Sequence, residues 1–97
     1  MSPTICRHLR ITGRVQGVGY RWSLCAKAEA LNLAGWVRNR QDGSVEALIS
    51  GTAEAVAARP RWAQRGPPAA QVDTVTCSDS PAEDCEALAG FEQRQTL

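Results

Sequence analysis

The period of the side-chain pattern changes across residues 13–19, and that change limits the folds open to this chain. Over residues 5–12 the side chains alternate, with Ile5, Leu9 and Ile11 on one face and Cys6, His8, Arg10 and Thr12 on the other, although Arg7 interrupts the apolar face. This predicts a first strand. Glycines at 13, 17 and 19 then break the alternation, and from Tyr20 the apolar positions Tyr20, Leu24, Ala28 and Leu31 recur at helical spacing with Cys25 beside them. A first helix follows, stopping between Asn32 and Gly35.

Residues 36–40 and 44–50 are two extended runs separated by Asp42-Gly43, a pair suited to the positive backbone angles of hairpin loops. Thr52 is placed to cap a second helix running through Val56 and Ala57 toward Trp62, with Gly66-Pro67-Pro68 as its stop. Pro60 removes a hydrogen bond inside that segment and predicts a kink or an early end. Residues 72–77 read as a fourth strand, residues 78–89 as an acidic loop and residues 91–95 as a short closing strand. The order βαββαβ, with an extra edge strand allowed, suits an α+β ferredoxin-like sandwich in which both helices pack on one face of an antiparallel sheet. With 97 residues, a single domain over 1–97 is expected.

Charge narrows the partners. The formal net charge of +1 argues against a general nucleic-acid binder. Yet residues 1–40 carry Arg7, Arg10, Arg14, Arg21, Lys27, Arg38 and Arg40 against Glu29 alone, so an anionic ligand is expected at the first half. No apolar run is long enough to cross a bilayer, and the first residues lack the layout of a signal peptide, which points to the cytoplasm and no membrane partner. Cys6, Cys25, Cys77 and Cys85 form no C-x-x-C pair and His8 is the sole histidine, so no metal site is expected. In a cytoplasmic chain these thiols should stay reduced, with Cys25 a packing residue on the helical stripe.

Two segments carry chemistry. In Gly13-Arg14-Val15-Gln16-Gly17-Val18-Gly19-Tyr20-Arg21 the glycines allow successive N–H groups to turn toward one point, as in an anion-binding nest, and a helix start adds partial positive charge. Arg21 supplies a guanidinium fork for two phosphate oxygens. A purely structural loop needs glycine too, so the turn alone leaves both readings open. No Lys-Ser or Lys-Thr follows the loop and the G-x-G-x-x-G order is missing, which argues against a nucleotide cofactor. In the second segment, Gly35-Trp36-Val37-Arg38-Asn39-Arg40-Gln41-Asp42-Gly43-Ser44-Val45-Glu46, Asn39 shares a strand face with Val37. Its carboxamide either handles a water, accepting a hydrogen bond through the carbonyl, or ties down a loop.

Together the two segments resemble the acylphosphatase family. The first is similar to its G-R-V-Q-G-V-x-[aromatic]-R signature and the second to its G-[aromatic]-V-[basic]-N-x-x-D-G-x-V-E signature. The likeness extends over nearly the whole chain; Pro60 and the acidic residues 80–86 depart from it. The resemblance implies the ferredoxin-like sandwich, makes Arg21 the phosphate-binding arginine and Asn39 the water-orienting asparagine, and assigns the cradle to the backbone of Val15, Gln16, Gly17, Val18, Gly19 and Tyr20. It implies hydrolysis of a small acyl phosphate to carboxylate and inorganic phosphate, with phosphate or a similar anion in the cradle and no cofactor.

The chemistry fits that implication. Neither segment holds a nucleophile, a metal-ligand set or a histidine acid, and a site without a general acid suits a leaving group that departs unprotonated. A carboxylate, with a conjugate-acid pKa of about 4, is such a group; an alkoxide is not. Two rivals remain: a phosphate-binding module without turnover, against which Arg21 and Asn39 speak, and an RNA-binding ferredoxin-like domain. The latter calls for exposed strand aromatics, and only five aromatic residues exist. Trp22 and Trp36 are expected to flank the site in core or groove packing.

Overall fold

A computed structural model describes residues 4–52, 56, 67–81, 85, 88 and 90–96. The elements are β1 (Thr4–Arg14), α1 (Tyr20–Ala30), β2 (Ala34–Asn39), β3 (Val45–Thr52), β4 (Gln71–Asp79) and β5 (Phe91–Gln93). The strands form one sheet in the order β4-β1-β3-β2-β5, with β1 central to a crossover from β3 to β4. This is the ferredoxin-like order with a fifth strand at one edge.

The alternation of β1 sorts the sheet into two faces. Leu9 and Ile11 are fully buried beneath α1 with Val37, Val45, Ala47 and Ile49, and α1 contributes Tyr20, Leu24 and Ala28. Arg7, on that same face by alternation, sits where it pairs with Asp79 at 2.6 Å. The opposite face presents His8 and Arg38 to the carboxylate of Glu46, at 2.6 and 2.7 Å. Burial opposes the ionisation of Glu46, but hydrogen bonds from His8 and Arg38, reinforced by the Arg38 charge, hold its carboxyl below the usual range.

α1 ends where expected. Asn32 takes a left-handed conformation (φ 58°), and the N–H groups of Asn32 and Leu33 bond back to Glu29 O and Ala28 O at 3.1 and 2.9 Å. This closure satisfies carbonyls the helix would otherwise leave open and turns the chain into β2.

Three expectations need revision or lie elsewhere. β5 pairs with β2 in parallel, so the sheet is not wholly antiparallel. One helix is present among the described residues. The second, expected from Thr52 toward Trp62 with its break at Pro60, lies outside them except for Val56, which is helical and fully buried against the core. Finally, the thiols are not all reduced: Cys6 and Cys85 form a disulfide across a sequence separation of 79, with a Cα–Cα distance of 6.1 Å. Spacing hid this pair because β1 and residue 85 meet only once the chain folds.

The disulfide belongs to a small second cluster, Cys6, Trp36, Leu48 and Cys85 with Leu88 against it, on the face away from α1. Cross-linking so distant residues removes freedom chiefly from the unfolded chain, a contribution of about 2–4 kcal/mol. Cys85→Ala, or reduction of the wild type, is therefore expected to lower Tm measurably. Thermal melts with and without reductant check this, and coincident curves would show that the bond adds no stability.

Candidate active site

β1 continues past Ile11 to Arg14, and Val15, fully buried, anchors the strand's exit into the core. The next residues lie at the end of the sheet rather than over it. Gly17 and Gly19 both have left-handed backbone angles (φ 73° and 81°), while Val18 between them does not. Such alternation turns neighbouring N–H groups toward a common point, which is how a backbone nest is made. A side chain at either position would be strained.

Gly19 is also the N-cap of α1, with no side-chain cap, and no acidic residue occupies the first turn. No side chain of the cap or first-turn carboxylate thus competes for this helix start, and the helix dipole adds roughly half a positive charge there. Arg21 stands in this first turn, half-buried. Arg7, Arg10, Arg38 and Arg94 each pair with a carboxylate, whereas Arg21 pairs with none among the described residues. A guanidinium with no ion-pair partner among the described residues, beside a helix start without a side-chain cap, is an electrostatic arrangement that favours an anion.

Tyr20 differs from its cradle neighbours in that its side chain is buried in the core, where burial pushes its phenol pKa upward. Cys25 is half-buried as a packing residue, and burial followed by the Glu29 charge raises its thiol pKa, the reverse of what a nucleophile needs.

Asn39 is the last residue of β2, on the α1 face with Val37, and aligns across the sheet with Val45 of β3, which in turn aligns with Ile11 of β1. Its Oδ1 is buried and is the one such side-chain polar atom without a hydrogen-bond partner among the described residues. Leaving a buried acceptor unpaired costs about 1–3 kcal/mol, a burden that folds tolerate mainly where function needs the group.

The contact that joins the two segments is made by Gln16. Its Nε2 donates to Arg40 O at 2.7 Å and to Ser44 O at 3.0 Å, reaching the turn immediately after Asn39. Asp42 shapes that turn, accepting from the Ser44 N–H at 2.9 Å and the Ser44 hydroxyl at 2.6 Å. Arg10 also pairs with Asp42 from the open face. Sequence reading placed Asp42 in a hairpin turn but missed these bonds; the Asp-Gly-Ser order is the signal that signposts them.

Trp22 stands beside Arg21 in the first turn of α1, Trp36 does not flank the site, and Trp62 lies outside the described residues. Trp36 packs on the opposite face of the sheet, with Arg38 and Arg94 over its ring at 4.6 and 5.1 Å. Trp22 is 70% exposed on α1 and packs in neither core nor groove. No group of three His, Cys, Asp or Glu side chains among the described residues is arranged to hold a metal ion.

Comparison with known proteins identifies the family. The family model described as Acylphosphatase matches residues 7–93. An acylphosphatase of Acidovorax sp. (strain JS42) is 56% identical over 96 residues, covering 99% of this chain and 96% of that protein. The structure of an acylphosphatase from Coxiella burnetii superposes with a TM-score of 0.86 at 35% identity, covering 94% of this chain and 93% of the other. That of acylphosphatase from Bacillus subtilis gives a TM-score of 0.87 at 32% identity, with 93% and 98% covered. A glycine nest opening a helix without a side-chain cap, an arginine in its first turn with no ion-pair partner among the described residues and an asparagine at the end of β2 thus occur on a fold and sequence shared over nearly the whole chain, and the chain belongs to the acylphosphatase family.

Proposed function

We propose that this protein, acting as one catalytic domain, hydrolyses acyl phosphates by direct attack of water on phosphorus. The observation that carries the reading is the Gln16 bond to Arg40 O at 2.7 Å, which brings the nest and helix start to the same end of the sheet as Asn39. The phosphoryl group of R–CO–OPO₃²⁻ lodges against the amides of residues 15–20, and Arg21 grips two of its oxygens. Asn39 Oδ1 accepts a hydrogen bond from the attacking water and aims it opposite the carboxylate. The oxygen of water bonds to phosphorus, the bond from phosphorus to the acyl oxygen breaks, and that oxygen leaves as carboxylate with the electron pair. The water's proton passes to a phosphate oxygen.

Positive charge in this scheme comes from Arg21 and backbone N–H groups, so no metal ion is assigned a role. The absence of a positioned acid limits the reaction to leaving groups that depart as stable anions. Phosphate release from a simple acyl phosphate is expected to persist with a chelator present, while alkyl phosphates are turned over poorly. Activity that vanishes on chelation and returns with metal, or comparable rates on both substrate classes, would overturn the proposal.

No helix among the described residues is long and apolar enough to cross a membrane. We place the protein in the cytoplasm, where the Cys6–Cys85 bond, buried at both residues, has to persist against reducing thiols.

A further inference from the structure

We infer that the Gln16 side chain is a positioning residue that sets the distance between the phosphate cradle and Asn39. The inference rests on the reading just given and adds a task to a residue whose backbone alone was assigned to the cradle. Gln16 carries the only polar side chain in residues 15–19, and it reaches the turn after Asn39. Both Nε2 hydrogens are spent on main-chain carbonyls, those of Arg40 and Ser44. These two residues are themselves joined by a bond from Arg40 N to Ser44 O at 2.8 Å. The carboxamide thus holds both limbs of the turn that begins one residue after Asn39.

Apart from that clamp, the two halves of the site are linked through the sheet, the packing of α1 on β2 and the Arg10–Asp42 pair. β1 departs from its pairing with β3 after Ile11 and shows a register shift between Thr12 and Gly13, so the strand that leads into the cradle is irregular just before it. The glycines that make the nest also make it pliable. A single bidentate side chain therefore holds the bound phosphorus and the water on Asn39 in register. Misplacement by about 1 Å is enough to cost on the order of a hundredfold in rate.

Gln16→Met keeps length and bulk but loses both donors. It is expected to lower kcat roughly tenfold to a hundredfold while inhibition by inorganic phosphate shifts less than about twofold, because the cradle amides and Arg21 remain. In an Asn39→Ala background the same change should have almost no further effect on kcat, since the group being positioned is gone. Gln16→Glu places a carboxylate against two carbonyl oxygens; its kcat relative to wild type should rise as pH falls and the protonated carboxyl regains one donor. Circular dichroism checks that each variant is folded.

Wild-type kcat in a folded Gln16→Met, or effects that multiply in full with Asn39→Ala, would overturn the positioning role. Should Gln16→Met fail to fold, a flat pH ratio for Gln16→Glu would overturn it alone. The proposed function fails separately: through an inactive wild type or a fully active Asn39→Ala, neither of which depends on any Gln16 variant.

Discussion

Arg21→Ala is expected to reduce acyl phosphate hydrolysis on the order of a thousandfold and to remove most inhibition by inorganic phosphate, while the fold persists. Arg21 forms no ion pair with a described carboxylate, and it stands half-buried in the first turn of α1, outside the core cluster of Leu9, Ile11 and Val37. Little stability is lost with it. The amides of residues 15–20 remain, but without the fork the dianionic phosphate keeps only partial charges to balance its own. Arg21→Lys should recover little, because an ammonium is a point charge and cannot grip two oxygens in one plane. Steady-state kinetics and a phosphate inhibition constant measure both effects, and a fully active lysine variant would refute the fork.

Asn39→Ala separates chemistry from binding. Its carboxamide is proposed to hold the water, whereas Arg21 and the amides hold phosphate in ground and transition states alike. The expected result is a fall in kcat of roughly a hundredfold or more, the scale for losing one positioned catalytic hydrogen bond, with phosphate inhibition nearly unchanged. The buried Oδ1 without a partner adds a second signature. Removing it eliminates an unpaired acceptor, so Asn39→Ala should retain wild-type stability or gain some, opposing the usual loss on truncation. Asn39→Asp should also fail, since a carboxylate repels the bound anion even though it accepts from water. If Asn39→Ala weakened phosphate inhibition as much as turnover, Asn39 would be a binding residue and the water-orienting role would fall.

These expectations depend on residues of unequal legibility. Arg21 and the glycines were readable because they fall within one nine-residue segment, residues 13–21, and a nest needs nothing beyond local backbone angles. Asn39 was readable as sharing the face of Val37, because strand alternation has a period of two wherever the strand goes. Gln16 was assigned to the cradle, yet its side-chain partners Arg40 and Ser44 lie 24 and 28 residues away and no local pattern connects them. Trp36 was misplaced beside the site for the opposite reason: it neighbours Asn39 in sequence, but an odd separation puts it on the other face of β2, under Arg38 and Arg94.

The sequence by itself determined the elements that depend on local periodicity and turn chemistry: β1, α1, the β2–β3 hairpin, β4 and the glycine nest. It also determined, through two signatures, the family and its phosphate chemistry. Tertiary structure decided what depends on contacts between distant segments. It joined Cys6 to Cys85 across a separation of 79, set β5 parallel to β2, and turned Gln16 toward the turn behind Asn39. The physical reason is common to all three. Local preferences are settled within a few bonds of backbone, whereas a disulfide, an edge pairing and a side-chain clamp each exist only after the core of Leu9, Ile11, Val37 and Ile49 has brought the strands together.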